Sequence, residues 1–320
     1  MTTVRRLRPV FLIVVLGLLF TAAPGGAQAA ADPTIGAVGD MGCSKWDADY
    51  NDGDGTATRC RQRYVSDLLV NPLPTAVLVL GDNQYEEGQL DEFQTVYDPT
   101  FGRANGVVYP VLGNAEYDTP NAQGYFDYFS SVGVNTRVAG TAVDASNWAN
   151  GYYSFDVGTW HLIALNSNCE IVACAAGSAQ EQWLKADLAA HRNMCTLAYW
   201  HHPHFTSGNG AGDEDTTAFW NDLYAAGADL VLVGHSHDYE RFAPLTPAGK
   251  PDAANGIREF VVGTGGDDHT SFPHPILPGT EVRDDTTFGF LALTLRPTGY
   301  DWRFMPVGGA FSDAGAGSCH

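Results

Sequence analysis

The chain has 320 residues, 44% of them hydrophobic, with 17 Lys and Arg against 37 Asp and Glu, a formal net charge of −20. That length admits one large domain or two small ones. An acidic balance of this size repels polyanions, which excludes nucleic acid as a partner and admits a phosphorylated ligand only where cations locally reverse the field.

Arg5, Arg6 and Arg8 precede an apolar run from Val10 to Phe20, and small residues continue through Ala31, with Ala27-Gln28-Ala29 as a cleavage site. This is the layout of a secretory signal peptide over residues 1–30. The run is too short for a membrane anchor, which needs about 20 apolar residues. Both Sec and twin-arginine export stay open. Residues 31–320 are then expected as one secreted, soluble domain, because no linker, repeat or low-complexity block divides them. Loss of the three leader arginines takes the net charge from −20 to −23.

Export together with an even number of cysteines, six, predicts disulfides. Their spacing is not that of a zinc site. Proximity in sequence favours Cys43 with Cys60 and Cys169 with Cys174, which leaves Cys195 for Cys319.

Ile35 to Gly39 reads as a buried strand with Asp40 at its tip. The polar loop KWDADYNDGDG, Lys45 to Gly55, has alternating acids but neither the glycine nor the glutamate placement of a calcium loop, and reads as a solvated turn. Arg61 to Val70 reads as a helix, Ala76 to Leu80 as a second strand ending in Gly-Asp82, and Leu90 to Tyr97 as a helix leading to a strand that ends at Gly113-Asn114. This alternation argues for an α/β fold with a parallel sheet. Tyr152 to Asp156 and Trp160 to Asn166 flank a Val-Gly-Thr turn as a hairpin. A helix at Ala179 to His191 follows, with Trp183, Leu184 and Leu188 as its core stripe. Next come the strand Thr196 to Trp200, ending at His201, a helix at Thr216 to Ala226, and Leu230 to His237. Ile257 to Val262, Phe288 to Leu295 and Tyr300 to Pro306 read as antiparallel strands. The expected architecture is two stacked mixed β-sheets flanked by helices.

Five apolar runs thus end in a residue that can ligate a metal. The last, LVLVGHSH, delivers His235 and His237 two positions apart, on one face of an extended backbone. Ligands in open α/β sheets bind beyond the carboxyl ends of the strands, where all five tips fall. Each residue alone has a bland explanation: Asp40 or Asp82 as a helix cap, Tyr85 as core, Asn114 as a turn residue, a lone His pair as backbone-bonded loop. Together, two carboxylates, an amide, three histidines and a tyrosine are a donor set for two metals.

The order GDMG (Gly39 to Gly42), GDNQY (Gly81 to Tyr85), GNAE (Gly113 to Glu116), YWHH (Tyr199 to His202) and GHSH (Gly234 to His237) resembles the calcineurin-like metallophosphoesterase superfamily. Tyr85 in the second motif makes it similar to the purple acid phosphatases. The resemblance implies that Asp40, Tyr85 and His237 bind Fe(III), that Asn114, His201 and His235 bind a divalent metal (Zn, Fe or Mn), and that Asp82 bridges them. Hard carboxylate and phenolate oxygens suit a trivalent ion and imidazoles a divalent one. Two such metals hold a hydroxide that attacks a small phosphate monoester in line.

The third motif departs from the family at Ala115, where a histidine that contacts phosphate and assists the leaving group is expected, while Glu116, the partner of that histidine, remains. His202 and His204 are candidates to replace it, or residues that orient ligands. His269 and His274 are rim candidates, and His161 is expected to be structural. Two rival readings stand beside the monoesterase: a phosphodiesterase of the same fold, and a catalytically weak protein that binds metal and phosphate.

Overall fold

The computed structural model describes residues 1–3, 31–192, 195–208 and 212–320. It separates Met1–Ala31 from Asp32–His320, and the fold is that of the second unit. The signal-peptide expectation falls on residues 4–30, outside the described residues. Among the described residues no helix is long and apolar enough to cross a membrane.

The elements run in chain order as β1 (Thr34–Val38), α1 (Gln62–Leu69), β2 (Ala76–Leu80), α2 (Leu90–Glu92), β3 (Val108–Val111), α3 (Gln123–Ser131), α4 (Val134–Thr141), β4 (Ala142–Asp144), β5 (Tyr153–Val157) and β6 (Trp160–Ala164). Then come α5 (Ala179–Ala190), β7 (Cys195–Tyr199), α6 (Thr217–Ala226), β8 (Leu230–Val233), β9 (Tyr239–Phe242), β10 (Arg258–Val262), β11 (Thr280–Asp284), β12 (Gly289–Arg296), β13 (Gly299–Pro306) and β14 (Ala314–Ser318). They form two mixed sheets, ordered β14-β13-β12-β1-β2-β3 and β11-β9-β10-β8-β7-β6-β5-β4.

The unbroken apolar runs are explained by burial on both faces. Leu230 and Leu232 of β8 face the core between the sheets, with Ile35, Leu78 and Leu291. Val231 and Val233 face outward onto Leu184, Trp220 and Leu223 of the two helices. β7 divides in the same way, with Leu197 and Tyr199 on the inner side and Ala198 on the outer. Side chains of this size contribute roughly 1.5–3 kcal/mol each when fully buried, so both faces of these strands hold their direction firmly.

β1, β2 and β3 are mutually parallel, as are β6, β7 and β8. Their carboxyl ends therefore lie at common edges of the two sheets, and that places the tips of β1, β2, β3, β7 and β8. The expectation for Ile257 to Val262 is corrected in one respect: β10 is antiparallel to β9 but parallel to β8, because β9 makes the reversal. The helix expected over Leu90 to Tyr97 keeps its place but divides into α2 and a wider turn at Phe93–Tyr97.

The three disulfides are Cys43–Cys60, Cys169–Cys174 and Cys195–Cys319. Inside the first, Asp47 pairs with Arg59 at 3.1 Å, and Asp54 pairs with Arg63 at 2.6 Å. Two of the four loop acids are thus paired with arginines.

Candidate metal centre

Three of the tip residues sit in backbone that side-chain-bearing residues seldom adopt: φ is 57° at Asp40, 44° at Asp82 and 67° at His235. A left-handed residue directly after a strand turns the chain sharply, so the side chain projects beyond the sheet end, and strain of this kind concentrates at functional sites. Each follows a glycine. At Gly81 the reason is contact, since a Cβ there would stand 2.6 Å from the His201 ring.

The seven tip residues converge in two groups that share Asp82. In the first, the Tyr85 hydroxyl lies 2.6 Å from Asp82 Oδ2, 3.0 Å from Asp40 Oδ1 and 2.9 Å from His237 Nε2. In the second, His201 Nε2 lies 3.2 Å from Asn114 Oδ1, 3.2 Å from His235 Nδ1 and 3.4 Å from Asp82 Oδ1. The two oxygens of Asp82 are divided between the groups.

The histidine tautomers are set from behind. His201 Nδ1 donates to the Leu80 carbonyl at 2.8 Å, which directs Nε2 toward Asn114 and His235. His237 Nδ1 is hydrogen-bonded to the Asp268 carboxylate and lies 3.8 Å from Asp267, so its Nε2 faces Tyr85 and Asp40. The Asp40 carboxylate accepts the His235 backbone N–H at 2.8 Å, and Asp82 accepts that of Ala115 at 2.9 Å.

Burial makes this cluster demand positive charge. Asp40 and Asp82 are almost wholly enclosed. Burial alone would raise the Asp82 carboxyl, but His201, Tyr85 and the Ala115 N–H more than offset it and hold the group below the usual carboxylate range. Burial opposes charge on His201 too, yet Asp82 and Asp40 push it up to about 9. Burial and the two carboxylates drive the Tyr85 phenol well above its ordinary value. A proton on His201 and on Tyr85 thus does here what a cation would do, and the donors, carboxylate, phenol, amide and imidazole, match hard and borderline metal ions.

The candidate catalytic residues take three different places. His202 stands at the site: its ring centroid is 4.6 Å from that of His235, and its Nδ1 is 2.8 Å from Ser167 Oγ. Burial, then His201 and His235, push it down to about 2. His204 lies away from the tips, its Nδ1 at 3.0 Å from the Asp213 carbonyl and 3.1 Å from Thr216 Oγ1, its ring stacked on Trp220. Glu116 lies beneath the site. Fully buried, its carboxylate accepts backbone N–H groups from Asn83 at 2.8 Å, Gln84 at 3.3 Å and Gly113 at 2.7 Å, which ties the second and third motifs together.

His269 hydrogen-bonds the His237 carbonyl at 3.1 Å and packs on Phe288. His274 lines a separate groove with His204 and Ile276. His161 is buried between Asp156 at 2.8 Å and Asp187 at 2.7 Å. Sequence reasoning missed Asp268 and Ser167. The first was signalled by the acidic pair after VVGTGG, and the second only by a polar residue just beyond the end of β6.

The calcineurin-like phosphoesterase family model matches residues 33–239. Purple acid phosphatase 22 of Arabidopsis thaliana is 28% identical over 271 residues, 79% of this chain and 55% of the relative. A nucleotide pyrophosphatase/phosphodiesterase of Hordeum vulgare is 27% identical over 293 residues, 80% of this chain and 74% of the relative. The structure of a purple acid phosphatase from yellow lupin superposes with a TM-score of 0.68 at 20% identity, covering 91% of this chain and 54% of that one; this likeness is one of fold. The chain thus spans about half the length of both the Arabidopsis protein and the lupin chain.

Proposed function

Since the chain belongs to the calcineurin-like phosphoesterase family, we propose that it is an exported, binuclear-metal phosphoesterase of the purple acid phosphatase type that hydrolyses phosphate monoesters. The observation that carries this reading is the division of Asp82: Oδ2 meets Tyr85 and Oδ1 meets His201, so one carboxylate serves two adjoining donor groups. Asp40, Asp82, Tyr85 and His237 would hold an iron(III) ion, and Asp82, Asn114, His201 and His235 a divalent one. Two such ions supply charge neutralisation for the phosphate and activation of water.

The chain's own residues do the rest. Asp268 and the Leu80 carbonyl fix the imidazoles of His237 and His201 with Nε2 inward. Ser167 does the same for His202. Its Oγ accepts the His202 backbone N–H at 3.0 Å, so its own proton is directed to His202 Nδ1, and the Nε2–H of His202 faces the site as a donor. We assign to His202 the hydrogen bond to the phosphate or leaving oxygen that the family takes from the position of Ala115. Loss of one such donor costs about 10²–10³-fold in turnover. The loss grows as the leaving group becomes poorer.

The test is turnover of an alkyl and an aryl phosphate by metal-loaded protein and by His202→Ala, with metal content measured in both. The alkyl ester is expected to lose the larger factor at unchanged metal content. Equal turnover of both esters in His202→Ala and the starting protein would refute the role of His202. A phosphodiesterase reading is favoured by the barley relative, whose name specifies a diester and whose length this chain covers to 74%. Side-by-side turnover of a monoester and a diester separates the two.

A further inference from the structure

Beside the proposed centre lies a depression of about 360 Å³ whose lining includes Asn114 and His202. Its apolar lining is Tyr117 and, in the loop closed by Cys169–Cys174, Ile171, which is 62% exposed. Tyr117 is fixed in place by a hydrogen bond from Asn166 at 2.8 Å. The same lining carries the carboxylates of Glu170, in that loop, and of Asp213 and Asp215. An adjoining recess of about 410 Å³, which shares His202 and reaches His235, adds Glu214.

Four carboxylates therefore line the two depressions beside the divalent-metal donors, and among the described residues neither lining contains Lys or Arg. Elsewhere the acids of this protein are commonly matched: Asp47 with Arg59, Asp54 with Arg63, Asp67 with Arg103, Asp313 with Arg241. Among the described residues no Lys or Arg pairs with Glu170, Asp213, Glu214 or Asp215. Burial raises the Asp213 carboxyl by more than the Asp215 N–H and His204 lower it.

The phosphate of a bound ester would be neutralised by the metals, so these carboxylates bear on the alcohol attached to it. We infer that the depression selects phosphate esters of cationic alcohols, with an alkylated ammonium as the preferred group. This rests on the phosphoesterase reading. A second anionic group, as in a nucleoside polyphosphate or a carboxylated ester, meets four like charges at short range. A methylated ammonium finds both things it needs. Its charge faces carboxylates, and its poorly hydrated methyl groups face Ile171 and the Tyr117 ring, an aromatic surface that attracts cations.

The experiment compares phosphocholine with 3,3-dimethylbutyl phosphate, which has the same shape with carbon in place of nitrogen, and with 2-carboxyethyl phosphate. Metal-loaded protein should show kcat/KM at least about 10-fold higher for phosphocholine than for the neutral isostere, the lower edge of what a cleft of one charge sign gives. That ratio should shrink as salt rises from about 20 mM to about 0.5 M, and by about 3-fold or more in the double variant Glu170→Gln, Asp215→Asn. The carboxylated ester should be the poorest of the three. Turnover of all three esters in a ratio unmoved by salt and by the double variant would overturn the inference while leaving the phosphoesterase reading intact. Should metal-loaded protein turn over no ester, that reading fails, and calorimetry with choline itself decides the depression: binding lost in the double variant supports it, and no binding to the starting protein overturns it.

Discussion

Glu116 is the residue whose role the structure recasts most. Its Oε1 accepts the N–H of Asn83 and Gln84, and its Oε2 that of Gly113. Glu116→Ala orphans three buried donors at roughly 1–3 kcal/mol each. The 3.3 Å bond from Gln84 counts least, so the expected loss is about 3–6 kcal/mol, a large share of the about 5–15 kcal/mol that holds a domain folded. Glu116→Gln is the sharper probe. Its carbonyl oxygen can still serve Asn83 and Gln84, but its NH2 then faces the Gly113 N–H, donor against donor, for an expected loss of about 1–3 kcal/mol. The damage should reach the metal centre, because Gly113 lies directly against Asp82: a Cβ there would stand 2.0 Å from Asp82 Oδ1. The assay is urea unfolding of metal-free protein, with metal content determined on parallel samples. Both variants should be less stable and hold less metal, Ala more than Gln. If Glu116→Gln kept its stability within about 0.5 kcal/mol and its full metal content but lost turnover, Glu116 would be a reacting group and the bracing argument would be wrong.

Two further outcomes are expected. The Cys195–Cys319 bridge spans 124 positions and Cys169–Cys174 only 5, so replacing each pair by Ala should cost about 5 and about 2 kcal/mol on the chain-entropy scale; equal losses in urea unfolding would contradict the ranking. Burial opposes charge on His161, but Asp187 and Asp156 more than offset it and raise it above the ordinary imidazole value. A raised folded-state value stabilises fully below the unfolded value and loses the contribution as pH rises through the folded value. Urea midpoints between about pH 5 and 9 should therefore decline less steeply in His161→Gln than in the starting protein, and identical slopes would refute the assignment.

The strands that build the metal centre were legible because each is an apolar run that stops at a ligating residue, after a glycine in four of them and directly after Trp200 in β7. Elements that break that grammar were not. β9, Tyr239–Phe242, carries Glu240 and Arg241, two charges that interrupt any apolar run. Both are buried, Glu240 against Ser207 and Thr280, and Arg241 against Asp313. β14, Ala314–Ser318, has no large side chain at all. Its glycines are what Trp302 and Tyr300 require, since a Cβ on Gly315 or Gly317 would stand 2.3 Å or 2.4 Å from those rings. The same limit applies to the site. Residues at strand tips announce themselves by position, whereas Asp268 and Ser167 act through a neighbour's imidazole, and the pairing of a carboxylate with a distant ring has no local pattern. Ala115 was readable as a departure, but only the placement of His202 beside His235 and of His204 against Trp220 separates the two candidate replacements.

The central claim is that Asp82 joins two metal-binding groups, one of them completed by Tyr85. Metal analysis of the protein from an iron-replete source, combined with its visible spectrum, tests this most directly. The account predicts two metals per chain, one of them iron, and a visible absorption that disappears in Tyr85→Phe while the second metal is retained. A protein that saturates at one metal would contradict the shared role of Asp82, and a fully loaded, colourless, all-zinc protein would contradict the assignment of iron to Asp40, Tyr85 and His237.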